Sequence, residues 1–335
     1  MQQHRLRDTN VKSISILVPV FNESKVLPIF FERIEPLLKK LAYHTELLFV
    51  DDGSTDNSCN LINNRKSISD KRKLIKLSRN FGKEAALCAG LNAATGDAVI
   101  IIDVDLQDPP ELIIDMVEAW EAGADVVNMK RTIREGESWF KLVCAKGFYK
   151  LLNKLSDTYI PENVGDFRLI ARNVVDVINA MPERNIYMKG IFSWPGFNTT
   201  TINFNRCARR AGESKWPFLK LVKLALDGIT SFSTKPLQIA TWSGGLLALA
   251  SFLYGMFVFM KTMLWGEVVT GYPTLMITVL ALGGFQLLTV GIMGAYIGRI
   301  YSEVQNRPRY VIEEEVQHHN RPAQVQSLSK KRVNT

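Results

Sequence analysis

Over its first 130 residues the chain alternates short, almost wholly apolar runs with longer mixed stretches. SISILVPV (Ser13–Val20), ELLFV (Glu46–Val50), Lys73–Leu77, Ala98–Ile102 and DVVNMK (Asp125–Lys130) are the runs, and none is long enough for an ordinary helix. Apolar runs without polar alternation predict strands buried on both faces, as in a parallel sheet. Between them, Phe21–Ser24 opens a helix reaching about Ala42, and Ser78–Lys83 leads into another through Ala94. Strands alternating with helices over this length predict an α/β domain, a doubly wound and mostly parallel sheet with helices on both faces.

After Lys130 the pattern changes. Trp139–Leu155 mixes aromatic residues with Lys141, Lys146, Lys150 and Lys154, and Trp216–Ile229 repeats the mixture. The first fits an amphipathic helix either at a membrane interface or on a globular surface, while the second, close to a long apolar run, is read as interfacial. Leu237–Met260 then runs 24 residues without a charge and Tyr272–Gly298 a further 27. About 20 helical residues cross a bilayer core, so two transmembrane helices are predicted. The expected organisation is a polar extension (1–12), a catalytic-type domain (13–205), a basic juxtamembrane segment (206–236), two spans (237–260 and 272–298) and a tail (299–335) disordered beyond about 313.

Composition sharpens this. Hydrophobic residues make up 47% of the 335, and most of the excess lies in those two runs. The +8 net charge is concentrated beside the spans: Arg206, Arg209, Arg210, Lys215, Lys220, Lys223 and Lys235 precede the first, and Arg299, Arg307 and Arg309 follow the second. The loop between the spans has one Lys and one Glu. The positive-inside rule puts the large domain and both termini in the cytoplasm, as a multi-pass protein of the inner (plasma) membrane. The basic partners are therefore an anionic membrane surface and a lipid phosphate, not nucleic acid. The polar first dozen residues do not read as a signal peptide. Four scattered cysteines form neither a zinc motif nor a disulfide framework. Gly283, Gly284, Gly291, Gly294 and Gly298 give the second span small faces suited to a homo-oligomer.

Acidic and polar clusters follow three of the strands: Asn22 and Glu23; Asp51, Asp52 and Asp56; Asp103 and Asp105. In a parallel sheet these strand ends share one edge, where open α/β sheets bind ligands. Asp103 and Asp105, two apart in extended chain, point to the same side and can converge on one hard cation or polar ligand. No GxGxxG and no GxxxxGK[ST] is present, which argues against a Rossmann dinucleotide site and a P-loop. Taken alone, DGSTD is also an ordinary turn and helix cap.

VPVFNE (Val18–Glu23), VDDGSTD (Val50–Asp56), NFGKEAAL (Asn80–Leu87) and DVDLQDPPE (Asp103–Glu111) together resemble the catalytic domain of glycosyltransferase family 2, which has the GT-A fold. GDFRL (Gly165–Leu169), RRAGESKW (Arg209–Trp216) and the two spans resemble its polyprenyl-phosphate branch, which includes dolichyl-phosphate mannose synthase and bactoprenol glucosyltransferases. The resemblance implies that Pro19, Phe21, Glu23, Val50, Asp52 and Lys83 serve the nucleotide sugar. Phe21 stands where many relatives have Tyr. It further implies that Asp103 lies against the ribose and diphosphate, that Asp105 and Gln107 hold Mg²⁺ or Mn²⁺, and that Arg209 and Lys215 close over the diphosphate. Arg131, Lys141 and Arg168 would meet the acceptor phosphate, and Asp166, with Asp105 and Arg131, would be catalytic. For Asp166 an orienting role is preferred to that of a base; a helix cap before Ile170–Ala180 is the structural alternative.

The implied activity is inverting transfer of a hexose, glucose from UDP-glucose by family weight, to polyprenyl (undecaprenyl) phosphate, giving a lipid-linked donor for surface-glycan modification. A flippase and a downstream glycosyltransferase would be its partners. A processive polysaccharide synthase would carry QxxRW and more spans. A non-enzymatic nucleotide-sugar sensor or flippase accessory would not need Asp52, Asp103, Asp105 and Gln107 intact.

Overall fold

The computed structural model describes residues 12–65, 69, 71–132, 153, 161–183, 188–205, 235–265 and 271–319. Eight strands form one sheet in the order β7-β5-β6-β4-β1-β2-β3-β8. They are β1 (Ser13–Val20), β2 (His44–Asp51), β3 (Lys71–Leu77), β4 (Ala98–Ile101), β5 (Val126–Arg131), β6 (Val164–Ala171), β7 (Thr199–Phe204) and β8 (Ile312–His319). β1 to β4 are mutually parallel, and β5 and β7 share their direction because β6 is antiparallel to both β4 and β5. The mostly parallel, doubly wound sheet expected from the apolar runs is therefore what forms.

Alternation along each strand divides the core in two. Leu47 and Phe49 of β2 face α1 (Leu27–Leu38), α2 (Ser58–Asn64) and α4 (Ile113–Glu121), where Phe30, Phe31 and Phe49 meet edge to face. Leu48 and Val50 face the other way, onto α3 (Lys83–Ala93), α5 (Arg172–Ala180) and α6 (Met188–Ile191). Burial on both sides is what a continuous apolar strand requires.

Three strands, β6, β7 and β8, lie beyond the five expected. GDFRL lies in β6, an antiparallel strand in mid-sheet, so Asp166 is not a helix cap. Within the tail expected to be disordered beyond about 313, residues 312–319 instead pair antiparallel with β3, while 320–335 lie outside the described residues. The reason is charge complementarity, with Lys73 Nζ 2.8 Å from Glu315 Oε1 and Lys76 Nζ 2.9 Å from Glu313 Oε2. Ser78 N also donates to Val311 O (2.9 Å).

α7 (Lys235–Trp265) and α8 (Tyr272–Val304) are long and apolar enough to cross a membrane. Their large side chains, among them Leu246, Phe252, Leu287 and Leu288, are exposed. The expected interfacial helix at 216–229, all of that at 139–155 except Asn153, and all of the extension 1–12 except Lys12 lie outside the described residues.

Candidate active site

The loops after the parallel strands are fastened to one another by side chains that the motifs supply. Asn22, in the left-handed region at φ 56°, accepts from Thr55 N (2.8 Å), while its own N donates to Ser54 Oγ (2.9 Å). Glu23 N and Ser24 N donate to Ser58 Oγ and Asp56 Oδ2. Asp51 closes the turn by accepting from Ser54 N (3.0 Å), and Asp56 accepts from Ser58 N (3.0 Å) at the start of α2. Burial acts to raise the Asp56 pKa, but hydrogen bonds from Ser58 and Ser24 bring it down to about 2. For Asp51 and Asp56 the turn reading of DGSTD describes the geometry, while the residue capping α2 is Asn57, without a side-chain cap bond.

Asp52 is buried, and its two oxygens accept from Phe81 N (2.7 Å) and Gly82 N (2.9 Å). Burial raises its pKa against the pull of those two bonds. The carboxylate thus fastens the loop after β3, just before Lys83. Gly53 lets the two loops approach: its φ is +73°, and a Cβ there would lie 2.5 Å from the Arg79 carbonyl carbon.

Lys83, the first residue of α3, joins two motifs. Its Nζ lies 2.7 Å from Asp103 Oδ1, beyond β4, and 2.7 Å from Asp166 Oδ2 on β6. Burial works against the ammonium, yet the two carboxylates hold it protonated well above the ordinary lysine range. Antiparallel pairing, with Ile101 opposite Arg168, is what brings the start of β6 beside the end of β4.

Beyond Asp103 the chain turns sharply at Leu106, a non-glycine residue at φ 55°, whose side chain is buried in the core. The turn brings Gln107 N to 3.1 Å from Asp105 Oδ1. Gln107 Oε1 is buried with no hydrogen-bond partner among the described residues. A carboxylate two residues from a buried, unsatisfied amide oxygen offers the hard oxygen donors that Mg²⁺ or Mn²⁺ takes. No group of three or more His, Cys, Asp or Glu side chains suited to a metal occurs among the described residues.

Arg131 ends β5, with its Nη2 3.6 Å from Asp108 Oδ1 and close against Gly165, the neighbour of Asp166. Pro19 pairs with Val50 at the ends of β1 and β2; Phe21 is exposed just beyond, and Glu23 begins the next turn. Two expected residues are not available to a ligand. Val50 has no exposed surface because it points into the core beneath α3. Arg168, expected at the acceptor phosphate, is 2% exposed, donates to Gly165 O (2.6 Å) and lies 4.0 Å over the Phe192 ring. Burial pushes its pKa down to about 10 against the attraction of Asp166. Lys141, Arg209 and Lys215 lie outside the described residues. Asp108 and Gly165 stand within DVDLQDPPE and GDFRL, but nothing local in those motifs links them to Arg131.

Residues 15–178 match the sequence profile described as Glycosyl transferase family 2. A prophage-derived bactoprenol glucosyl transferase of Shigella flexneri is 49% identical over 300 residues, 89% of this chain and 97% of that protein. A prophage bactoprenol glucosyl transferase homolog of Escherichia coli K12 is 48% identical, covering 89% and 98% of the respective chains. An uncharacterized glycosyltransferase of Synechocystis is 44% identical over 89% and 94%. Among solved structures, glucosyl-3-phosphoglycerate synthase from Mycobacterium tuberculosis aligns with a TM-score of 0.43 at 20% identity, over 65% of this chain and 78% of that one.

Proposed function

The chain belongs to glycosyl transferase family 2, and from that membership we propose that it transfers glucose from UDP-glucose to a polyprenyl phosphate, with inversion at the anomeric carbon. The observation that carries the reading is the meeting of Lys83, Asp103 and Asp166 at the strand-end edge, with Arg131 alongside Gly165. Extensive identity with bactoprenol glucosyl transferases supports the choice of sugar and acceptor.

In this reading Asp103 and the Phe21 side face the nucleotide. Asp105 and Gln107 hold the divalent cation, which when bound would offset negative charge on the departing diphosphate. Asp52 keeps the loop before Lys83 in place. Lys83 pairs with Asp166 and orients it, and Arg131 meets the acceptor phosphate. A phosphate monoester has a second pKa near ~6, so the attacking oxygen is already ionised at neutral pH and needs no strong base. Asp166 therefore orients. Arg209 and Lys215 would add positive charge from the juxtamembrane side.

The two long apolar helices support membrane association, and the return of the chain to β3 at β8 supports both helix ends lying on one side, as a hairpin. With the basic flanks, that side is the cytoplasm of the inner membrane. The lipid-linked product would pass to a flippase and a further glycosyltransferase, and the small-residue faces suit a homo-oligomer. Acceptor chemistry tests the reading. Polyprenyl phosphate should be glucosylated and the unphosphorylated polyprenol should not; equal transfer to both would overturn it.

A further inference from the structure

We propose that Asp108 and Gly165 are positioning residues for Arg131, setting its guanidinium to receive the acceptor phosphate. The proposal rests on the reading above that Arg131 meets that phosphate.

Asp108 directly follows Gln107 and is 1% exposed. A carboxylate buried to this degree is tolerated only with a counter-charge nearby, and Arg131 Nη2 at 3.6 Å supplies one. From the other side the guanidinium passes over the backbone of Gly165. A Cβ there would lie 2.7 Å from Arg131 Nη2 and 3.2 Å from Cζ. Gly165 is not in the left-handed region, so its backbone would accept alanine; what glycine provides here is space for the guanidinium. The base of the side chain is fixed as well, since Arg131 N donates to Asn163 O (3.1 Å), just before β6.

An arginine held on both flanks loses less side-chain freedom when a phosphate arrives, which improves binding without adding a contact. Asp108 also ties this arginine to the Asp105–Gln107 turn. The acceptor-side cation and the proposed metal residues are thus linked through the Asp108–Arg131 ion pair.

Full-length protein in detergent, assayed with Mg²⁺, UDP-glucose and polyprenyl phosphate, tests this with three variants. Asp108→Asn keeps the shape and removes the charge; Gly165→Ala leaves Asp108 alone and displaces the guanidinium; Arg131→Gln removes the guanidinium. The first two should each raise KM for polyprenyl phosphate about fivefold, the scale of one ion pair without a hydrogen bond, with KM for UDP-glucose changed less than about twofold. An equal rise in the UDP-glucose KM would overturn the proposal. If Arg131→Gln weakens the acceptor while Asp108→Asn and Gly165→Ala do not, the positioning role fails and the reading of Arg131 stands. An unchanged acceptor KM in Arg131→Gln would sink both. Should Asp108→Asn not fold, Gly165→Ala alone decides, because its side chain meets only the far end of Arg131.

Discussion

Lys83 Nζ stands 2.7 Å from Asp166 Oδ2, an ion pair between the first residue of α3 and an antiparallel strand in the middle of the sheet. The same ammonium also reaches Asp103, so one cation separates two carboxylates that would otherwise repel. Lys83→Gln should lower kcat/KM by about 100-fold, the scale of losing one preorganised electrostatic group. Because the two side chains act together, Lys83→Gln with Asp166→Asn should cost less than the product of the single losses. If Asp166 only orients, Asp166→Asn keeps measurable activity with an unchanged pH profile between ~6 and ~8; loss of a basic limb there would assign it the role of base.

Asp105 and Gln107 make a separate prediction. Asp105→Ala should abolish most activity. Gln107→Ala should raise the Mg²⁺ or Mn²⁺ concentration giving half-maximal rate about tenfold, through loss of one neutral ligand. A metal titration of the purified variants measures this, and an unchanged midpoint in both would remove the metal assignment.

Asp52→Ala leaves the N–H groups of Phe81 and Gly82 without their acceptor and frees the loop before Lys83. The expected cost is about 1–3 kcal/mol of stability, read by thermal or denaturant unfolding. KM for UDP-glucose should rise while that for the lipid changes little.

At the opposite end of the sheet, buried Glu46 accepts from Ser15 Oγ (2.5 Å) and Thr95 N (2.9 Å) and pairs with Lys71 Nζ (3.2 Å). Burial raises its pKa, but these partners outweigh burial and leave it below the ordinary 4.5. A carboxyl whose folded pKa is depressed stabilises the fold above its unfolded value and loses that contribution as pH falls through the folded one. Wild type should therefore lose stability on acidification below about 4.5. Glu46→Gln should be less stable at pH 7 and lose less between pH ~5 and ~3, as followed by melting temperature.

The central sheet was legible because β1, β2 and β4 are largely apolar runs followed by turn formers and set between helical stretches. β6 was not, because Asp166 and Arg168 interrupt its apolar character while the strand is still sandwiched between β4 and β5. The acidic IEEEVQHH of β8 becomes a strand only against the basic KRKLIKL of β3, a pairing no local pattern reveals. At the candidate site, Asp103 and Asp166, from separate motifs, meet at Lys83, and Asp105 and Gln107 follow in the next turn. Position in a motif does not give direction, however: Val50 turns under α3 and Arg168 turns onto Phe192. The contact of Gly165 with Arg131 exists only once β5 and β6 pair.

The most direct test is transfer itself. Purified full-length protein in lipid vesicles, given polyprenyl phosphate, Mg²⁺ and UDP-glucose labelled in the sugar, should move label into the organic-extractable lipid with release of one UDP per glucose, and Asp105→Ala should not. Release of UDP with all of the label remaining in water, or no turnover with any nucleotide sugar under conditions where the protein is folded, would contradict the account.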